Sequence, residues 1–187
     1  MINDETKRLG FLVEKVLQMS LFERQKATLK LKELDANDLI ISVANTFALK
    51  VEKYGGTLDL DLDALDSTIY VDEMHITNVL FNLMDNAVKY RRQDVPLALL
   101  VRTWNENGKL HISVEDNGIG IKKEYLKKVF DRFFRVPTGN KHDVKGFGLG
   151  LAYVRKIIED HKGSIRAEQG NNNIGTKFII TLPLIKS

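Results

Sequence analysis

The sequence predicts an α+β protein, a two-layer α/β sandwich with one sheet covered by helices on one face. Three observations predict it. Stretches of helical periodicity occupy residues 38–53, 73–91 and 150–161. Shorter alternating stretches, suited to half-buried strands, lie between them. These strands mostly follow one another across short turns, so the pairing is largely antiparallel rather than the strict βαβ alternation of a parallel sheet.

The elements follow in order. Residues 4–26 read as one helix, because Leu9, Leu12, Val13, Val16 and Leu17 form an apolar stripe opposite Glu5, Lys7, Arg8, Glu14 and Lys15. That stripe calls for a partner helix, and the segment is taken as half of an interrupted helical hairpin. Residues 26–34 alternate as a short strand. Asp35, Asn37 and Asp38 then offer N-cap oxygens to a helix over 38–53, which ends at Gly55-Gly56. Residues 57–62 and 67–71 are strands, and Asp72 caps a long helix over 73–91. Strands 97–105 and 109–115 join through the turn Glu106-Asn107-Gly108. A short helix is expected over 123–130, and an aperiodic polar loop over 137–145. The helix over 150–161 has Gly163 just past its end as a C-cap. Strands 164–168 and 176–183 close the chain as a hairpin across residues 170–175.

Composition narrows the chemistry. The 187 residues are 43% hydrophobic and 28% charged, as in an ordinary globular domain. There is no cysteine, which excludes a disulfide framework, a thiolate zinc site and a cysteine nucleophile. The four histidines are scattered, which argues against a metal enzyme. Lys and Arg number 28 against 25 Asp and Glu, and a net charge of +3 gives no case for nucleic-acid binding. No apolar run approaches the roughly 20 residues of a membrane span. The expectation is a soluble cytoplasmic domain with no membrane contact of its own, possible as a piece of a longer membrane sensor.

Three segments break local rules. In the helix, residues 78–90 read NVLFNLMDNAVKY. Asn82, Asn86 and Lys89 share one stripe, although Asn weakens a helix. An amide oxygen suits Mg²⁺, and a lysine suits phosphate. Asn residues that simply meet water are the plainer reading. Asp116-Asn117-Gly118-Ile119-Gly120-Ile121 follows a strand. Its glycines let a flat ligand come close, and its carboxylate can accept the adenine amine proton. DNG is also an ordinary turn. Gly146-Phe147-Gly148-Leu149-Gly150-Leu151 opens a helix, where free N–H groups suit an anion. It is not GxGxxG, and neither the P-loop nor the protein-kinase signatures occur. Between these lies Phe130-Asp131-Arg132-Phe133-Phe134-Arg135, whose aromatics suit either a core or a lid anchor.

In this order, over residues 28–187, the segments resemble the N, G1, F and G2 boxes and terminal GT motif of the ATP-binding catalytic domain of bacterial sensor histidine kinases. The wider superfamily includes gyrase B, MutL and the heat-shock chaperone ATPase. Residues 1–27 resemble the second helix of the dimerisation and phosphoacceptor hairpin. The resemblance implies ATP and Mg²⁺ as cofactors, with Asn86 on the metal and Asn82 and Lys89 toward the phosphates. Tyr90 would flank the adenine, and Asp116 would accept from its amine. Gly118 and Gly120 would shape that loop, and Thr176 would lie near the adenine end. Gly146, Gly148 and Gly150 would hold the phosphate side of the lid, with Arg135 a further phosphate candidate. Ile121, Leu149 and Leu151 complete the implied nucleotide positions.

The resemblance also implies a response-regulator receiver domain as partner and a homodimer in the full-length protein. The family's acceptor histidine has no match: His75, His111, His142 and His161 all lie in the wrong elements. The acceptor is therefore expected on a hairpin outside this chain, so no catalytic residue is assigned here. A nucleotide-dependent switch of the anti-sigma type is the non-enzyme alternative.

Overall fold

The computed structural model describes residues 29–134 and 150–185. The expected helix over 4–26 lies outside them. The described elements are β1 (Leu31–Asp35), α1 (Ala36–Lys53), β2 (Thr57–Leu62), β3 (Thr68–Asp72) and α2 (Glu73–Lys89), then β4 (Ala98–Glu106) and β5 (Lys109–Asp116). After residue 149 follow α3 (Gly150–Asp160), β6 (Ser164–Gln169) and β7 (Thr176–Pro183). Among the described residues, five strands form one sheet in the order β2-β4-β5-β7-β6. Only the β2–β4 pair is parallel. β1 and β3 pair separately as an antiparallel ribbon, which the local pattern does not foretell.

Alternation divides the sheet into two faces. On β5, Leu110, Ile112 and Val114 are buried and stand in register with Thr103, Val101, Leu182, Ile180 and Phe178. Ile40, Phe47, Leu80, Leu83, Met84, Val154, Ile157 and Ile158 come from the three helices and complete the same core cluster. A period of two on the strands and about 3.6 on the helices thus aims both layers at one another.

Local chemistry sets the element ends. The Asp35 carboxylate accepts the Asp38 N–H at 3.1 Å and so caps α1. The Asp72 carboxylate accepts the His75 N–H at 3.1 Å and caps α2 in the same way. Asn107 and Gly108, with φ of 54° and 72°, make the two-residue turn between β4 and β5.

Two expectations are corrected. Residues 123–130 do not form one α-helix but two 3₁₀ turns, Lys123–Tyr125 and Lys128–Phe130. Neither has a side-chain cap, and so short a segment cannot offset the nucleation cost of an α-helix. The end of α3 also differs. The left-handed residue is Lys162, at φ 62°, and the Gly163 N–H reaches the Ile158 carbonyl at 2.9 Å. Gly163 is required for a different reason, since a Cβ there would lie 2.4 Å from the Thr181 carbonyl oxygen of β7.

Candidate functional site

Asp116 is the last residue of β5 and continues the core-facing series of Leu110, Ile112 and Val114. A carboxylate therefore sits at a position that alternation reserves for an apolar side chain, 9% exposed. Its Oδ1 accepts two backbone N–H groups, from Gly118 at 2.8 Å and from Thr176 at 3.2 Å. Oδ2 accepts no hydrogen bond among the described residues. Burial is the main cause that pushes its pKa up to about 6; the two N–H groups oppose the shift, and the neighbouring Glu115 charge adds to it.

The loops around this carboxylate are packed backbone to backbone. A Cβ at Gly118 would meet the Tyr90 carbonyl oxygen at 2.5 Å, and the Ile119 N–H donates to that same oxygen at 3.0 Å. Gly175 is left-handed at φ 70°, and a Cβ there would fall 1.9 Å from the Asp116 carbonyl oxygen. Gly120, also left-handed at φ 77°, faces Gly175. At Gly118 close approach alone demands glycine, whereas at Gly175 and Gly120 the left-handed dihedral adds to it.

Tyr90 caps α2 rather than lying within it: its backbone, at φ −103° and ψ 21°, has left the helix while its N–H still donates to the Asn86 carbonyl at 3.0 Å. The C-terminal turn of α2 is thereby tied to the loop after β5. Further along α2, Asn82 bonds its amide nitrogen to the Asn78 carbonyl at 2.8 Å. Its Oδ1 lies 3.3 Å from where a Gly150 Cβ would stand, so the first residue of α3 abuts the helix at Asn82. Asn86 is half-buried on the same stripe. Lys89 shares the stripe, but its ammonium pairs with Asp85 at 3.6 Å, and Asp85 also meets Lys50 of α1.

Tyr90, Asp116, Gly118, Gly120 and Thr176 thus converge at one end of the sandwich, while Asn82 meets Gly150 along α2. Ile121 and Leu151 pack partly buried against the core. Arg135, Gly146, Gly148, Leu149 and the polar loop 137–145 lie outside the described residues, as does His142. The aromatic segment divides: Phe130 is buried edge-on to Phe178 at 6.1 Å, Phe134 packs on Tyr125 at 5.6 Å, and Phe133 is exposed.

Glu115 escaped the sequence reading, and the parts played by Asn117 and by Gly175 of the GT motif were not assigned there. Glu115 is 8% exposed and accepts the Asn171 N–H at 2.8 Å. Asn117 bridges the Ala98 N–H and the Pro96 carbonyl, at 2.8 and 2.9 Å. Gly175 makes the close approach described above. The signal for Gly175 was the GT motif itself, whereas Glu115 and Asn117 act through partners distant in sequence.

A family model for histidine kinase-, DNA gyrase B-, and HSP90-like ATPases matches residues 71–186. The chain belongs to this ATPase family. The match spans α2, the loop after β5, α3 and the GT hairpin, the segments that build the site. Sensor protein RprX of Bacteroides fragilis is 72% identical over the whole chain, which spans 36% of that protein's length. The catalytic domain of histidine kinase ThkA, in a nucleotide-free form, is 32% identical with a TM-score of 0.70, over 82% of this chain and 97% of that one. Histidine kinase ThkA in complex with response regulator protein TrrA is 29% identical with a TM-score of 0.75, over 97% of this chain and 49% of that one. The fold expected of this ATPase family is the fold observed.

Proposed function

We propose that the chain is the ATP-binding catalytic part of a sensor histidine kinase. In this reading it presents the γ-phosphoryl group of ATP to a histidine on a helical hairpin, and the group then passes to a response-regulator aspartate. The observation that carries the proposal is Asp116, a carboxylate at a core position with Oδ1 fixed by two N–H groups and Oδ2 open among the described residues. An exocyclic amine of adenine can donate to that oxygen, and a hydrogen bond to a charged acceptor contributes about 1.5–3 kcal/mol. Guanine presents a carbonyl in the corresponding place, so two acceptors would face one another and binding would be lost. Tyr90, Thr176, Gly118 and Gly120 would line the base; Asn82, Gly150 and Leu151 would lie toward the phosphates.

Magnesium fits the donor set in one way. Among the described residues no cluster of three or more His, Cys, Asp or Glu could hold a metal. The Asn86 amide oxygen is a hard ligand on the phosphate side of the proposed pocket. Such a site suits a cation carried mainly by phosphate oxygens and water. When bound, Mg²⁺ would offset charge on the phosphates. In the proposed transfer an imidazole nitrogen attacks the γ-phosphorus in line, the bond from phosphorus to the β,γ-bridging oxygen breaks, and ADP leaves. The chain's own part is to hold and orient the nucleotide and exclude water. Lys89 would have to exchange Asp85 for phosphate to assist.

Several observations support the wider reading. ThkA, a histidine kinase, is found with a response regulator, which favours such a partner here. The similarity to sensor proteins favours the kinase over the anti-sigma-type switch. Among the described residues no helix is long and apolar enough to cross a membrane. A cytoplasmic location within a homodimeric parent, with residues 1–27 as part of its hairpin, belongs to the same proposal. In the full-length parent, Asn86→Asp is expected to abolish histidine phosphorylation while circular dichroism stays unchanged. Wild-type phosphorylation in that variant would remove the metal assignment.

A further inference from the structure

Glu115 and Asp116 are adjacent carboxylates on opposite faces of β5. Asp116 faces the helices. Glu115 faces the other side, yet it is as buried as its neighbour. It stands in register with Lys177 of β7 and Leu100 of β4. Its Oε2 accepts the Asn171 N–H at 2.8 Å and lies 3.3 Å from where a Gly170 Cβ would stand. The chain from Gly170 to Gly175 closes on itself, since the Gly170 N–H donates to the Gly175 carbonyl at 3.1 Å. Gly175 is pressed against the Asp116 backbone, and the next N–H, from Thr176, donates to Asp116 Oδ1. One carboxylate thus grips the start of the β6–β7 connection, and the end of that connection grips the other.

We propose that Glu115 is a positioning residue for base recognition: by anchoring residues 170–175 it sets the Thr176 N–H on Asp116 and so orients the carboxylate oxygen that receives the adenine amine. This rests on the nucleotide reading above. Nothing in the catalytic chemistry requires a second acid at this place, and no core packing explains one. A buried carboxylate is costly unless it is hydrogen-bonded, and here its hydrogen bond is spent on the loop.

The charge of Glu115 has a separate effect, because it raises the Asp116 pKa by like-charge repulsion. The groups around the pair are few. Lys177 stands beside Glu115, with Glu168 of β6 in register on its far side. On the helix face, the end of α2 carries Asp85, Lys89 and Tyr90. Geometry and charge can therefore be separated by two substitutions. Glu115→Gln keeps an acceptor for Asn171 and removes the charge; Glu115→Ala removes both.

The test is calorimetric titration of the chain and both variants with ATP and with GTP, from pH 5 to pH 8. Comparing variants at each pH cancels the titration of the ligand's own phosphate, whose pKa lies near 6. For Glu115→Gln, ATP affinity at pH 8 is expected within about twofold of wild type, with the acid midpoint of binding shifted lower. For Glu115→Ala, ATP affinity at pH 8 is expected to fall about tenfold, with the preference over GTP narrowed. If Glu115→Ala fails to fold, Asn171→Pro, which removes the N–H that Glu115 accepts, is expected to weaken ATP binding and narrow the preference over GTP in the same way. A wild-type protein that binds ATP, with Glu115→Ala or, in its place, Asn171→Pro indistinguishable from it at pH 8, would overturn this inference alone. A wild-type protein indifferent to ATP would remove the nucleotide reading and this inference with it.

Discussion

Two polar clusters sit between the helices and the strands, one at each end of α2, and they are built differently. At the N-terminal end, beside Asp72, His161 is 6% exposed and both ring nitrogens are engaged. Nε2 accepts the Asp72 N–H at 3.0 Å, and Nδ1 faces the Ile157 carbonyl at 2.7 Å, an arrangement that suits one neutral tautomer. The Asp72 carboxylate accepts the Lys30 and His75 N–H groups, one on each oxygen. At the other end, beside Tyr90, Asp116 is also buried but engages only one of its oxygens among the described residues. A polar group kept for stability uses its hydrogen-bonding capacity within the chain. One kept for a ligand holds some of it back.

The largest expected effect comes from removing the held-back acceptor. Asp116→Asn replaces the open oxygen's charge and weakens ATP binding about 10- to 100-fold, at roughly 1.5–3 kcal/mol for a charged hydrogen bond. The same substitution should raise stability in the absence of nucleotide, because an ionised carboxylate held at a pKa of about 6 costs about 3 kcal/mol at neutral pH. Calorimetry and thermal melts on one preparation measure both. A loss of binding together with lower stability would erase the contrast between the two ends.

His161→Ala should do the reverse. It leaves the Asp72 N–H and the Ile157 carbonyl without their buried partner, costing about 2–3 kcal/mol of stability. ATP affinity of the folded fraction should stay within about twofold. Denaturant titration reads the first and calorimetry the second. A large loss of affinity in the folded protein would show that the two ends are not separable.

The smallest effect is a pH slope, and its sign differs between the ends. Asp116 has its pKa raised on folding, so the folded state binds its proton more tightly. Stability from this group increases as pH falls from above 6 toward 3.8. Asp72 is shifted the other way. Burial pushes its pKa up, but the N–H groups of Lys30 and His75 and the two nearby histidines outweigh this, so its contribution is lost as pH falls through the folded value below 3.8. His75 has a pKa lowered by burial, despite the favourable Asp72 charge, and its contribution is lost as pH falls below 6.5. The difference between wild type and Asp116→Asn cancels every group but Asp116. That difference should shrink from about 3 kcal/mol at pH 7.5 to about half of it at pH 5. A difference independent of pH would mean the carboxylate is not held in the state described.

The sequence already showed much of this contrast, unevenly. β2 and β7 run over the residues their alternation predicts, 57–62 and 176–183. The apolar stripe of α2 is buried as its spacing requires. Such elements are legible because each residue's environment repeats along the element. The pairing of β1 with β3 was not, because its bonds link residues about forty apart. Nor was the reason for Gly163, which is set by the Thr181 carbonyl on β7. The candidate site was legible where residue type breaks a pattern: Asp116 ends an apolar series, and Asn82 and Asn86 interrupt a helix. Glu115 was not, because a glutamate in a strand is ordinary until Asn171 is brought against it.

The most direct measurement of the central claim is calorimetric titration of the chain with ATP and with GTP, with and without Mg²⁺. The account predicts micromolar-to-millimolar ATP binding, strengthened by Mg²⁺, and no comparable uptake of GTP. Equal affinity for the two nucleotides, or none for either, would contradict it.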